Sequence, residues 1–220
     1  NLLSFAAGVG ASTNKAGVAA SGVVNTVTSY TEAYIDSGAK VNEDNTNSSS
    51  NQSVELRANH TTSSLSVAGS FGIAKEFGLG AAADVEVIGK HVKAYIAPSA
   101  GPDHEQQTIV NASNNVILEA TSKENGPGDA GMLSIAAGLG GGTSGQFGSA
   151  GAGSATVIVL TTETKAYIGD GAVVEAGGNV KISAKSDAGI LTVAGAGAYG
   201  GSNGIGISNS TVVKNHTTEA

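Results

Sequence analysis

The feature that most constrains this chain is that it repeats itself. The tripeptide Ala-Tyr-Ile stands at 33–35, 94–96 and 166–168, each time after Lys or Glu. Val-x-(Leu/Ile)-x-Ala recurs from Val54, Val116 and Val180. Leu-(Ser/Thr)-(Phe/Val/Ile)-Ala-(Gly/Ala) occurs four times, from Leu3, Leu65, Leu133 and Leu191. A repeated sequence folds into a repeated structure in which each unit buries its apolar strip against the next, so repetition is read before any local pattern. The units differ in length, the step from Tyr34 to Tyr95 being shorter than that from Tyr95 to Tyr167, and the leanest unit, after Tyr167, sets a basic period of about 54 residues. The largest surpluses fall at Asn42–Ser53, Ala97–Ile109 and Thr121–Ala130, polar stretches that hold all three prolines. Insertions confined to a few places are expected to be exposed loops on a constant scaffold. One domain over 1–220 is expected, with units at about 34–94, 95–166 and 167–220 after a partial unit 1–33. The pattern starts and stops in mid-unit, and the expectation is an internal window of a longer chain.

Within a unit the local period is two. Val180-Lys181-Ile182-Ser183-Ala184-Lys185 and Val54-Glu55-Leu56-Arg57-Ala58-Asn59 alternate strictly, as half-buried strands do. Ala58, Ala120 and Ala184 each follow two inward apolar residues and are expected to point inward. Gly171–Gly178 reads as a short strand closed by a glycine turn, and the stretch from Leu191 as two more strands around a turn at Gly200–Gly204. No segment sustains a helical stripe. Gly, Ala and Ser supply 92 residues, against 48 Leu, Ile, Val and Phe and no Trp, so any core is thin. An all-β fold follows, a repeat solenoid with a β-sandwich or an array of antiparallel hairpins as the alternative. A period of this length divides into three coils of about 18 residues or two of about 27 residues, and the sequence does not choose.

Thr164–Val174 (TKAYIGDGAVV), Gly177–Ala184 (GGNVKISA) and Leu191–Gly197 (LTVAGAG) together resemble the repeats of large secreted filamentous adhesins and haemagglutinins of Gram-negative bacteria, nearest the leukotoxin-type filamentous adhesins. The resemblance spans essentially all three units. It implies a right-handed parallel β-helix, export to the extracellular bacterial surface in association with the outer membrane, and attachment to a host or bacterial glycan or protein receptor, with self-association into filaments as a further partner mode. This segment is then a stalk without catalysis. A polysaccharide-cleaving β-helix and a cytolytic, toxin-associated surface protein are the other readings kept, and an ice-binding solenoid is disfavoured because Thr192 is matched by Ser4, Ser66 and Ser134.

Charge narrows the partners. The net charge is −7 and Lys and Arg never cluster, which argues against nucleic acid and anionic membrane. No run of 18 apolar residues exists to insert into a bilayer, and the lack of Cys removes disulfides, zinc–thiolate sites and thiol nucleophiles. No cofactor, metal or catalytic residue is expected. Gly140–Gly145 satisfies G-x-G-x-x-G, but no helix follows and a glycine-rich turn is expected. Asp103-His104-Glu105 reads as a solvated loop tip, and Asp36, Asp170 and Glu175 as scattered surface acids. Gly169-Asp170-Gly171 is a single copy of what a calcium-binding solenoid repeats many times. Tyr34, Tyr95 and Tyr167 recur in register. A structural ladder of stacked rings is the main expectation for them, and an external carbohydrate platform the other.

Overall fold

A computed structural model of the chain describes residues 1–101, 106–125, 131–145 and 148–220. Fourteen strands and no helix occur among them, and the same four strands recur in order. The first set is β1 (Leu2–Ala11), β2 (Ala16–Ile35), β3 (Lys40–Val41) and β4 (Val54–Thr62). The second is β5 (Ser64–Ala74), β6 (Phe77–Ile96), β7 (Ile109–Ala112) and β8 (Val116–Glu124). The third is β9 (Met132–Gly142), β10 (Ser149–Ile168), β11 (Val173–Ala176) and β12 (Val180–Asp187), and the last is β13 (Ile190–Gly200) with β14 (Asn203–Glu219). Equivalent strands pair side by side into four parallel sheets: A (β1-β5-β9-β13), B (β2-β6-β10-β14), C (β3-β7-β11) and D (β4-β8-β12). Leu3 aligns with Leu65, Leu133 and Leu191, and Tyr34 with Tyr95 and Tyr167. The fold is all-β, built of stacked parallel sheets and β-helix-like.

Two expectations change. Each unit makes one circuit of four strands instead of two or three short coils, because markers one full unit apart are direct ladder neighbours. Antiparallel hairpins do not form: among the described residues every ladder is parallel, and the one antiparallel pairing is the isolated Ala100–Gln106 bridge. The glycine-rich turns do fold the chain back, but the two arms meet face to face instead of hydrogen-bonding edge to edge.

That face-to-face contact explains where the unit's length goes. Sheet A lies against the first half of sheet B at backbone distance, making a flat two-layer fin. A Cβ on Gly8 would fall 2.2 Å from the Ala20 carbonyl oxygen, on Gly72 1.9 Å from that of Leu79, and on Gly138 2.1 Å from that of Gly153. Only glycine allows that approach. The alternation that turns glycine and alanine inward therefore turns Leu, Phe, Val and Ile outward.

The second half of sheet B bends away and closes with sheets C and D around the main core. Leu56, Ala58, Val92, Ala94, Ile96, Val110, Val116, Leu118 and Ala120 form it, at most 7% exposed. A large aliphatic side chain fully buried there is worth about 1.5–3 kcal/mol. At the corner after sheet B, Gly38 and Gly171, each four residues past its tyrosine, take φ of +72° and +68°, a left-handed conformation that glycine adopts without strain. Of the three insertions, Asn42–Ser53 falls between strands as expected; in Ala97–Ile109 the residues Ala97, Ser99 and Thr108 are buried instead of exposed, Thr121–Glu124 belong to β8 with Ser122 buried, and residues 102–105 and 126–130 lie outside the described residues. Residues 42–53 are largely exposed yet fastened to the next unit: Gln52 Oε1 accepts from the Ser113 N–H (2.8 Å), and Asn45 Nδ2 donates to Ser113 Oγ (3.0 Å).

Candidate functional site

The outer face of sheet B, beyond the fin, gathers more chemistry than any other described surface. Residues two apart along one strand share that face, and the parallel register stacks each with its counterpart one unit on. Three columns result. Tyr34, Tyr95 and Tyr167 form the outermost, with ring centroids 5.3 and 5.1 Å apart and planes within 10° of parallel. Glu32, Lys93, Lys165 and Glu219 form the next, and Tyr30, His91, Glu163 and Thr217 the third. Tyr30 stacks on His91 at 4.7 Å.

Glu163 is the electrostatic hub. It accepts from His91 Nδ1 (2.8 Å) and Lys165 Nζ (2.9 Å), with Lys93 Nζ at 3.7 Å, and Lys165 reaches on to Glu219 at 3.1 Å. The hydrogen bonds from His91 and then Lys165 hold the Glu163 carboxyl down at about 2. The same contact with Glu163 pushes the Lys165 ammonium up. Burial among its neighbours raises the Tyr95 phenol. Because the rings stack, both faces of Tyr95 are turned to other tyrosines, and the column presents ring edges and hydroxyls outward. Carbohydrate stacking uses ring faces, so this geometry favours the ladder over the platform.

A second set of charges lies inside, where sequence reasoning assigned none. Asp84, Glu86 and Lys90 share the inward parity of β6 with Ala82, Ile88 and Val92, and all are fully buried. Asp84 accepts from Ser66 Oγ (2.6 Å) in its own unit and from Ser134 Oγ (2.5 Å) in the next. Glu86 Oε1 accepts from Ser64 Oγ (2.7 Å) and Asn25 Nδ2 (3.4 Å), while Oε2 has no partner among the described residues. Burial first, and the neighbouring Asp84 charge second, push the Glu86 carboxyl up. Lys90 pairs with Glu124, both side chains wholly withdrawn from water. Burial first, and the charge of the exposed Lys214 second, lower the Lys90 ammonium to about 8. The signal that could have found these groups is parity: strict alternation over Ala82–Ile96 puts every even-numbered residue inside. Asp84 and Glu86 tie sheet B to serines of sheet A, and Lys90 ties it to Glu124 of sheet D.

The remaining motifs do not converge. Gly140–Gly142 ends β9 and residues 143–145 form a turn; no helix follows among the described residues. Asp103, His104 and Glu105 lie outside the described residues. Asp36 accepts from the Ser37 N–H at 2.8 Å, bracing the corner of the first unit, whereas Asp170 and Glu175 belong to the third. No group of three or more His, Cys, Asp or Glu that could hold a metal occurs among the described residues. No protein-family profile, curated protein or solved structure matches the chain.

Proposed function

We propose that this chain is a structural segment of an extracellular bacterial filamentous adhesin, a right-handed β-solenoid whose work is to be long and stiff and to hold variable loops outward. The observation that carries the reading is the register: equivalent residues of successive units pair without a slip through sheets A and B, while the extra residues are shed between strands. A stack that adds one unit at a time is extended by repetition, which is what a stalk requires. Right-handedness follows from the preference of crossover connections between parallel strands. The buried charges Asp84, Glu86, Lys90 and Glu124 are held by serine hydrogen bonds and an ion pair, which fits a scaffold. Receptor contact then falls to the loops that differ from unit to unit, beginning with Asn42–Ser53. Incubating the chain with a panel of acidic and neutral polysaccharides, while following unsaturated products and new reducing ends, tests the reading. No turnover is expected, and catalytic turnover would replace the stalk with a polysaccharide-cleaving enzyme.

A further inference from the structure

The fin is built inside out. Its interior is backbone, glycine, alanine and serine beside Val23, and, apart from Met132 and its register neighbours Leu2 and Ile190, the large side chains of sheet A face outward. Five columns cover that outer face, and the register names them: Leu3, Leu65, Leu133 and Leu191; Phe5, Val67, Ile135 and Val193; Ala7, Gly69, Ala137 and Gly195; Val9, Phe71, Leu139 and Gly197; Ala11, Ile73, Gly141 and Tyr199. Leu3, Phe5 and Val9 are 75, 73 and 79% exposed, and Leu139, Leu191 and Val193 nearly half exposed. No Asp, Glu, Lys, Arg or His occurs anywhere in the four strands, and the sole polar group facing out is the Tyr199 hydroxyl.

We infer that this face of sheet A is the interface on which a second copy of the chain docks, fin against fin. Three observations choose that occupant. The first is area. Four strands about 4.8 Å apart and ten residues of about 3.3 Å rise make a face of about 19 by 33 Å, so two opposed faces bury about 1,200 Å², within the range of specific interfaces. The second is charge. The molecule carries −7, yet this face carries none of it, so two copies meet here without the repulsion that opposes contact elsewhere. The third is shape. Phe71 and Leu139 stand beside an open cleft of about 460 Å³, floored by Gly141 and Gly197 and flanked by Ile73 and Tyr199. A surface with its own ridge and its own groove is self-complementary about a two-fold axis, as an isologous interface must be. Lipid is the poorer occupant, because exposed Lys15, Lys75 and Glu76 crown the fin tip and no basic rim flanks the face. The inference is independent of the stalk reading, since a catalytic chain would present the same face.

Sedimentation velocity from 1 to 200 μM tests it together with two pairs of substitutions. Val67→Glu with Ile135→Lys places two opposite charges side by side on this face, and Val85→Glu with Val157→Lys does the same on the outer face of sheet B. The unaltered chain and the sheet B pair are expected to dimerise, and the sheet A pair to weaken dimerisation at least tenfold. The chain has no native cysteine, so a single Ala137→Cys, near the centre of the face, is expected to oxidise to a covalent dimer and Ala83→Cys, on sheet B, to form no covalent dimer. A monomer at every concentration, equal dimerisation by the two pairs, or cross-linking of the Ala83→Cys variant in place of the Ala137→Cys variant overturns the proposal. So does monomer that co-sediments with phosphatidylcholine vesicles, which would assign the face to lipid. Should the sheet A pair fail to fold, the two single-cysteine variants decide alone.

Discussion

Gly140 of β9 lies so close to Gly151 of β10 that a Cβ on Gly140 would fall 2.0 Å from the Gly151 carbonyl oxygen. The obstacle is backbone, so no side-chain movement relieves it. Gly140→Ala must separate the two sheets of the fin locally, and a loss of about 3 kcal/mol or more is expected, at or beyond the upper end of overpacking costs. Gly69, on the outer face of β5, has nothing within 4 Å of its Cβ position. Gly69→Ala is expected to be neutral or to stabilise by up to about 1 kcal/mol. Thermal melts of the two variants check this, and equal shifts would mean the layers are not in backbone contact.

Glu86 gives the fold a pH dependence whose sign is set by burial. Its folded pKa lies above the ordinary value of 4.5, so the folded state holds this proton more tightly than the unfolded chain does. Its contribution is therefore complete below pH about 4.5 and declines as pH rises through the folded value. Glu86→Gln keeps the shape, removes the charge and offers a donor where Oε2 has no partner among the described residues. The variant is expected to melt at or below the unaltered chain at pH 4 and a few degrees above it at pH 7, at about 2–4 °C per kcal/mol. A difference independent of pH would show that Glu86 is not the titrating group.

Ala120, fully buried between Ala58 and Ala184 in the middle strand of sheet D, has the least room of the three equivalent alanines. Ala120→Leu is expected to cost about 1–3 kcal/mol by overpacking. Ala184→Leu, on the partly covered third unit, should cost less than Ala120→Leu, and Lys185→Leu, which points outward, close to nothing. Chemical denaturation of the three variants gives the order.

The tyrosine column predicts an effect that depends on position. Tyr95 stacks on two rings and Tyr34 on one. At about 0.5–1.5 kcal/mol per aromatic pair, Tyr95→Ala is expected to cost about twice as much as Tyr34→Ala, with Tyr95→Phe nearly neutral. Equal costs for the two alanine variants would mean that stacking does not govern the column.

Shortening the first insertion tests the loop assignment. Loop closure alone makes the removal of Asp44–Ser50 worth less than about 1 kcal/mol. The structure raises that figure, because Asn45 and Ser48 each hydrogen-bond Ser113 of the next unit. A loss of about 1–3 kcal/mol with an intact β signal in circular dichroism is expected, at about 1 kcal/mol per hydrogen bond. Loss of the β signal would place these residues in the core.

Period-two alternation and the repeated markers were enough to read the strands, the turns and the equivalence of units, because those properties depend on neighbours along the chain and on self-similarity. Val180–Lys185, Gly171–Gly178 and the stretch from Leu191 all fall where their patterns put them. The tyrosines could be placed in register, but not face to face, since that depends on the ladder spacing. The circuit length was beyond reach, because dividing the period into equal coils assumes a round bore. What decides it is a contact between Gly138 and Gly153, or Gly72 and Leu79, across a fold-back whose arms could equally have paired as a hairpin. Parity alone could have marked Asp84, Glu86 and Lys90 as internal. That they stay there depends on the serines of sheet A and on Glu124, which come from other strands and, for Ser134, from the next unit. Alternation along one strand says which way a side chain points; only the packed stack supplies the partner that makes a buried charge tolerable and the backbone contact that makes a glycine irreplaceable.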